Sequence, residues 1–305
     1  MKLSLTSALL SLAVLVAPLS SAPVLAAGGC SGSSCLFLPS VMTVRVNTPP
    51  TTGATYHQGI AVQYDVDNPV RPAGQHADKN LGLRGLVDVT DNDQGTYYYK
   101  GMLSYGLDDT QSGPPQLAYL FSPARGPAGM RYYRTRDWNW ASSPAAGSAG
   151  ATITRTLYPI TGLGIATAAG EKIYAPRTLH DNPIAPGYHM MVIYADENNI
   201  ALKYTVEDTG ATGYTVHIRG IQVDANLLAL YRSLDGGNRY VFSGRGARTY
   251  NLPYISAGQP IGFALGTSIQ VAVVDTGTFL DPRSCQEFWI GFYSNCPARN
   301  GNEIR

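Results

Sequence analysis

The chain has five histidines, the side chains best suited to move a proton or hold a metal near neutral pH: His57, His76, His180, His189 and His217. Two sit beside carboxylates, in His76-Ala77-Asp78 and His180-Asp181, with His189 following the second pair closely. Such pairs suit a metal ligand held by a carboxylate. A hydrolytic zinc centre, however, needs three protein ligands and one open position. His57-Gln-Gly-Ile-Ala61 has a usable His but ends on Ala61 where a second ligand would have to stand. His57, His76, His180 and His189 therefore read as loop histidines in contact with solvent. Asp91-Asn-Asp-Gln-Gly95 has the start of a calcium loop, but Lys100 and Gly101 occupy the positions of the bidentate acid, so it reads as a turn. Glu207 and Asp208 are adjacent on an extended stretch and point to opposite faces, so they read as solvated charges at a strand end. No G-x-S-x-G nucleophile motif is present. Neither a metal nor a cofactor is expected.

Flat aromatic rings offer different chemistry, because their faces stack on sugars. Tyr97-Tyr-Tyr99, Tyr132-Tyr133, Trp138-Asn-Trp140 and Phe288-Trp289 are the clusters. On a strand only alternate rings share a side, so part of each cluster must be core. Tyr97, Tyr99, Trp138 and Trp140 are the binding candidates, and Asp137-Trp-Asn-Trp140 leads because its two indoles flank a polar residue. The four cysteines, Cys30, Cys35, Cys285 and Cys296, lie toward the two ends of the chain. An even count suggests structural disulfides. Cys30–Cys35 and Cys285–Cys296 close the shortest loops, while the other two connectivities stay open. Neither pair has zinc-knuckle spacing.

These groups need an address and a scaffold. Lys2, the uncharged Leu3–Leu25 stretch and the small-x-small site Val24-Leu25-Ala26 form a secretory signal peptide over 1–26. Lipid attachment at Cys30 is a second reading, disfavoured by Ala27 three residues before it. No other apolar stretch nears the ~20 residues of a membrane span, so no integral membrane segment is expected after cleavage. The protein is expected to be secreted or held in the cell envelope. Charged residues make up 14% of the chain and the net charge is +1, without the basic excess that nucleic-acid binding requires.

Twenty tyrosines, with 33 glycines and 20 prolines to punctuate the strands, point to an all-β fold. Strands are expected at 36–46, 59–64, 83–89, 96–103, 116–121, 130–134, 152–157, 172–174, 190–194, 200–206, 214–218, 261–264 and 269–274. A short helix is expected over 76–84. A clearer one is expected over 223–233, with Asp224 as N-cap, Leu227, Leu228 and Tyr231 on one face, and Gly236-Gly237 as the stop. The Pro- and Gly-bearing stretch Ala141–Ala151 reads as a linker or exposed loop. The expected organisation is an N-terminal β domain (27–145), a linker (146–157), a second β domain (158–284) and a disulfide-bearing tail (285–305).

Three stretches of the second half have the order of landmarks in lysostaphin-type (LytM-like) zinc endopeptidases. Leu163–Pro176 resembles the H-x-G-x-D…V-x-A-P segment, Ile255–Gly262 the V-x-x-G-Q-x-I-G turn, and Gly266–Pro282 the closing G-x-H-L-H run. Gly213-Tyr-Thr-Val-His-Ile218 resembles the Y-x-H-L strand. The resemblance implies a β sandwich or barrel with one inserted helix. Its zinc chemistry does not carry over: the H-x-H positions are Ser268, Ile269 and Gln270, and the H-x-x-x-D positions fall near Ile160 and Gly164. His217 is the only family histidine retained. The expectation is a non-catalytic, pseudoenzyme-like envelope protein that binds or scaffolds peptidoglycan or another extracellular polymer. The alternatives are a hydrolase rebuilt around His217 and a surface protein that assembles with copies of itself.

Overall fold

The computed structural model describes residues 49–64, 73–89, 113–140, 147–153, 160–209, 212–235, 247–293 and 296. The signal peptide, Cys30, Cys35, the 36–46 and 96–103 strands, Tyr97, Tyr99 and the 91–95 turn lie outside them. In chain order the elements are β1 (His57–Tyr64), α1 (Leu81–Arg84), β2 (Leu86–Asp88), β3 (Arg131–Asn139), β4 (Ser148–Thr152), β5 (Gly162–Ala166), β6 (Lys172–Tyr174), β7 (Met190–Ala195), β8 (Asn199–Lys203), β9 (Tyr214–Arg219), β10 (Ile221–Val223), α2 (Ala225–Asp235), β11 (Ala247–Ile255), β12 (Pro260–Ala264), β13 (Ser268–Asp275) and β14 (Thr278–Phe279). The fold is all-β. One sheet runs β1-β11-β7-β8-β9-β13-β5-β3-β2, with β14 beside β13 and β4 beside β3; a smaller one runs β10-β12-β6. Every pairing between these strands is antiparallel.

Local chemistry explains the best-predicted elements. In the β7–β8 hairpin Asp196 Oδ1 accepts from the backbone N–H of Asn198 (2.7 Å) and Asn199 (2.8 Å), the bonding that lets a short acidic turn close a hairpin. Asp224 N-caps α2: its Oδ1 accepts from the N–H of Asn226 (2.8 Å) and Leu227 (3.1 Å). Its Oδ2 accepts from the Thr51 hydroxyl at 3.2 Å and from the Thr52 N–H, tying the start of the described chain to the helix. Burial alone would raise the Asp224 carboxyl, but these hydrogen bonds outweigh it and hold it below its ordinary value. Leu227, Leu228 and Tyr231 turn into the core, and the Tyr231 hydroxyl reaches the Ile193 carbonyl at 3.3 Å.

Other stretches depart from expectation. Residues 116–121 form no strand; Leu117–Leu120 is a 3-10 turn in which Leu117, Ala118 and Leu120 are all buried. A strand would turn Ala118 away from its neighbours, whereas this segment is packed on more than one side by the chain end. Leu117 N–H donates to the Phe288 carbonyl (2.8 Å), and Gln116 Nε2 to that of Glu287 (2.7 Å). Residues 280–289 are accordingly buried throughout, with Phe288 and Trp289 in the main core. The first residues of the expected tail are therefore core, closed by the Cys285–Cys296 disulfide. Helix 76–84 shrinks to α1, with Asn80 capping the Gly82 N–H at 2.9 Å. Strand β11 has no counterpart among the expected elements, yet it pairs with β1 from His57↔Tyr254 to Tyr64↔Ala247. With β3 bonded to β5 as well, strands from both sides of the 146–157 stretch share one sheet, and 48–305 is one compact unit.

The sheet buries both faces at its centre. Tyr214, Val216 and Ile218 of β9 enter the main core, so Thr215 and His217 must face the other way. That second face is sealed by Leu81, Phe279 and Leu86 with Ala272 and Val274. It also holds charge. Lys79 Nζ lies 2.7 Å from Asp208 Oδ2, with both side chains almost wholly out of water, and the Tyr250 hydroxyl donates to the same carboxylate. Asp208 is thus a buried partner rather than the solvated strand-end charge expected. Burial pushes the nearby Lys203 ammonium down to about 8, against the opposing pull of Asp208. Removing one member of a buried pair strands the other charge at ~3–5 kcal/mol. Lys79→Met should therefore lower unfolding free energy by about that much, and Lys79→Met/Asp208→Leu should recover most of it; urea denaturation of the three proteins checks this. Asp224→Ala should cost about 1–2 kcal/mol in the same assay, with Asp224→Asn recovering only part of it, because an amide nitrogen cannot accept from the Thr52 N–H.

Candidate functional site

His217, Gly164 and Gln270 fall on three adjacent strands, while Ile160 precedes β5. Gln270 of β13 stands opposite Arg219 of β9 on one side and Gly164 of β5 on the other. One pleat further along the same face, Ala272 stands opposite His217. The register thus brings Gln270, Gly164 and His217 onto one face, but that face carries no proton-transfer chemistry at its surface. His217 is 1% exposed, set between Ala201 and Ala272, with its ring stacked at 6.3 Å on Phe279. Burial pushes the imidazole from its ordinary 6.5 down to about 3; Asp78 opposes this weakly, and Arg84 and Lys203 add to it. Its Nε2 has no hydrogen-bond partner among the described residues. A general base must reach the proton it takes, and this one faces protein.

The other histidines scatter. His57 and His180 are exposed, as expected. His76 is not: it is 8% exposed, packed edge-on against Trp140 at 5.1 Å, and its Nδ1 accepts the Asp78 N–H at 3.3 Å. His189 is half-buried, with Nδ1 accepting the Ala257 N–H (3.1 Å) and Nε2 3.4 Å from Asp181. Among the described residues, no three His, Cys, Asp or Glu side chains converge as a metal site would require.

The aromatic run at the end of β3 does build a site. Trp138 and Trp140 lie on the same side with ring centroids 6.2 Å apart, edge to face. Trp138 lines an open cavity of about 630 Å³ with Arg84, Asp137, Asn139, Thr152 and Phe279, a volume within the range of small-ligand sites. Charge is divided across it. The Arg84 guanidinium is nearly buried and lies 5.2 Å over the Phe279 ring, held by the carbonyls of Ala77 and Arg136 (3.1 Å each) and by Asp78 (2.5 Å). The exposed Asp137 carboxylate is 3.8 Å from Arg84 and accepts the Trp138 N–H at 2.8 Å. The indole Nε1–H of Trp138 has no acceptor among the described residues. Of the two indoles singled out in the sequence only Trp138 lines this cavity, Trp140 packing on His76; Arg84 and Phe279, which arrive from α1 and β14, were not singled out. Nothing local marks them, since each is an ordinary residue for its element.

Comparison of the chain with family models, curated proteins and solved structures returned no match. The Cys285–Cys296 disulfide is of a kind that persists in oxidising compartments, and among the described residues no helix is long and apolar enough to cross a membrane.

Because the folded state holds His217 neutral down to about pH 3 while the unfolded chain protonates it near 6.5, the unfolded state binds the extra proton between those values. Stability should therefore fall on acidification below 6.5, by ~1.4 kcal/mol per pH unit from this residue. His217→Leu should flatten the profile by that slope; denaturation midpoints of both proteins between pH 7 and 4 measure it.

Proposed function

We propose that this protein is a non-catalytic binding protein of the cell envelope or extracellular space, which holds a glycan-bearing polymer such as peptidoglycan. The observation that carries the reading is the Trp138 cavity. The Trp138 side chain, the exposed Asp137 carboxylate and the fixed Arg84 guanidinium meet in one open recess. Sugars present that complement: apolar C–H faces for stacking on the Trp138 ring, and hydroxyls that donate to Asp137 and accept from Arg84. The secretory signal over 1–26 supplies the address.

The resemblance to lysostaphin-type peptidases is part of this proposal. Its support is the register that aligns Gln270, Gly164 and the His217 strand on one face, within an antiparallel sheet bearing one longer helix. On this reading the ancestral metal site is lost, its surviving histidine is roofed by Phe279, and binding has moved to the cavity above that roof. The sealed position of His217 weighs against a hydrolase rebuilt around it. Trp138→Ala should weaken binding to isolated peptidoglycan or a soluble glycan about tenfold, ~1.4 kcal/mol, without changing the fold. Sedimentation assays and calorimetry measure the affinity. Undiminished binding by the variant, or cleavage of the polymer by the wild type, would sink the proposal.

A further inference from the structure

A second cavity, of about 430 Å³, lies where three remote segments meet: the 3-10 turn and its exit (Tyr119, Phe121, Ser122, Ala124), the end of β6 (Tyr174, Arg177, Asp181) and the turn after β11 (Ala257, Gly258). It shares no lining residue with the Trp138 cavity. Two of these segments are the Tyr-Ala-Pro and Ala-Gly-Gln-Pro stretches singled out in the sequence, here held together by the Gly258 N–H donating to the Ala175 carbonyl at 2.8 Å.

Its chemistry is specific. Three rings, Tyr119, Phe121 and Tyr174, line one recess. The Arg177 guanidinium lies 4.0 Å from the centroid of Tyr119 and donates to the Tyr119 hydroxyl. Tyr119 is itself fixed edge-on against Phe292 at 5.8 Å. Stacking and one hydrogen bond fix the plane of the guanidinium yet use only one of its five donors, and no carboxylate of the described residues neutralises it. The neighbouring Arg125 differs. It too stacks on a ring of this recess, Phe121 at 4.0 Å, but it is paired with Glu171 at 3.0 Å. Asp181, already 3.4 Å from His189, adds an exposed acceptor at the rim and stands in a left-handed backbone conformation (φ 52°).

A planar fork with spare donors is the group that binds a carboxylate in two-point fashion. Aromatic faces beside it suit the C–H face of a sugar ring, and an acceptor at the rim suits a hydroxyl. We infer that this cavity is a binding site for a carboxylate-bearing saccharide of the uronic-acid type, with Arg177 on the carboxylate, Tyr119 and Tyr174 against the ring and Asp181 on a hydroxyl. An anion alone would leave the half-buried Tyr174 ring and the open side of Tyr119 unused, and a neutral sugar would leave the guanidinium unanswered. The inference is independent of the Trp138 cavity.

The test titrates the purified protein with an oligogalacturonate and with a neutral cello-oligosaccharide of equal length, by calorimetry at low and at moderate salt. The acidic oligomer should bind at least tenfold more tightly, and the gap should shrink as salt rises. Arg177→Gln should lose the gap, Arg177→Lys should keep only part of it, and Arg232→Gln, which removes an exposed guanidinium of α2 outside both cavities, should leave it unchanged. Arg177 is exposed, so the variants should melt with the wild type, which a thermal scan checks. Equal affinity for the two oligomers, no binding of the acidic one, or an Arg177→Gln variant that keeps the preference overturns the inference. Loss of the preference in Arg232→Gln as well would assign it to net charge and overturn the inference.

Discussion

The Lys79–Asp208 pair is the constraint on which the second face of the sheet depends. Two charges taken out of water must find each other and further hydrogen bonds, or the fold pays several kcal/mol for each. Meeting that demand brings the chain around α1 to the stretch following β8, remote from it in sequence. Asp208 also gives its backbone N–H to the Val62 carbonyl at 2.8 Å, while the Val62 N–H donates to the Val206 carbonyl at 2.7 Å. The chain leaving β8 thereby meets the edge of β1. One residue thus joins the lid over the sheet to the edge of the sheet.

That arrangement decides where chemistry is possible. With α1, β2 and β14 closed over β9 and β13, His217 becomes a packing element whose neutral form is enforced by its surroundings. Arg84 belongs to the same lid: it fixes the lid to β3 through the Arg136 carbonyl and shows its guanidinium to the cavity outside. The interior that keeps His217 neutral is continuous, through Phe279, with the floor of the Trp138 cavity. Polar groups left over from such sealing, rather than a cluster of proton-transfer residues, give this molecule its recognisable surface.

A second dependence runs through the chain end. Asp281 and Arg283 pair within 2.5–3.1 Å beneath the surface, with Arg283 5.1 Å from the Tyr132 ring. Burial pushes the Asp281 carboxyl up, although the guanidinium pulls it back. Trp289 Nε1 donates to the Pro282 carbonyl at 2.7 Å, and Phe288 anchors the 3-10 turn through Leu117. The aromatic recess beside Arg177 exists because this segment packs under Tyr119, so a site formed by residues 119–181 is supported by residue 292.

The sequence by itself determined what depends on near neighbours. Alternation and β-branched runs marked β7, β9 and β13; Asp224 announced its cap because its bonds to the helix span only two or three residues; Asp137–Trp140 showed its indoles on one side because a strand has period two. Composition was enough for the all-β class. What only the tertiary structure decided involves partners far apart in the chain. β11 was missed because Pro253 and the polar Thr249–Asn251 hide a strand that is recognisable only beside β1. His76 and Asp208 looked exposed because burial of a polar side chain is set by what arrives over it. The domain boundary failed as a divider because sheet hydrogen bonds are made between backbones, which carry no residue code. The cavity-lining positions of Arg84, Phe279 and Arg177 had no local signature for the same physical reason: a cavity is a property of surfaces that meet, and the chain does not record the meeting.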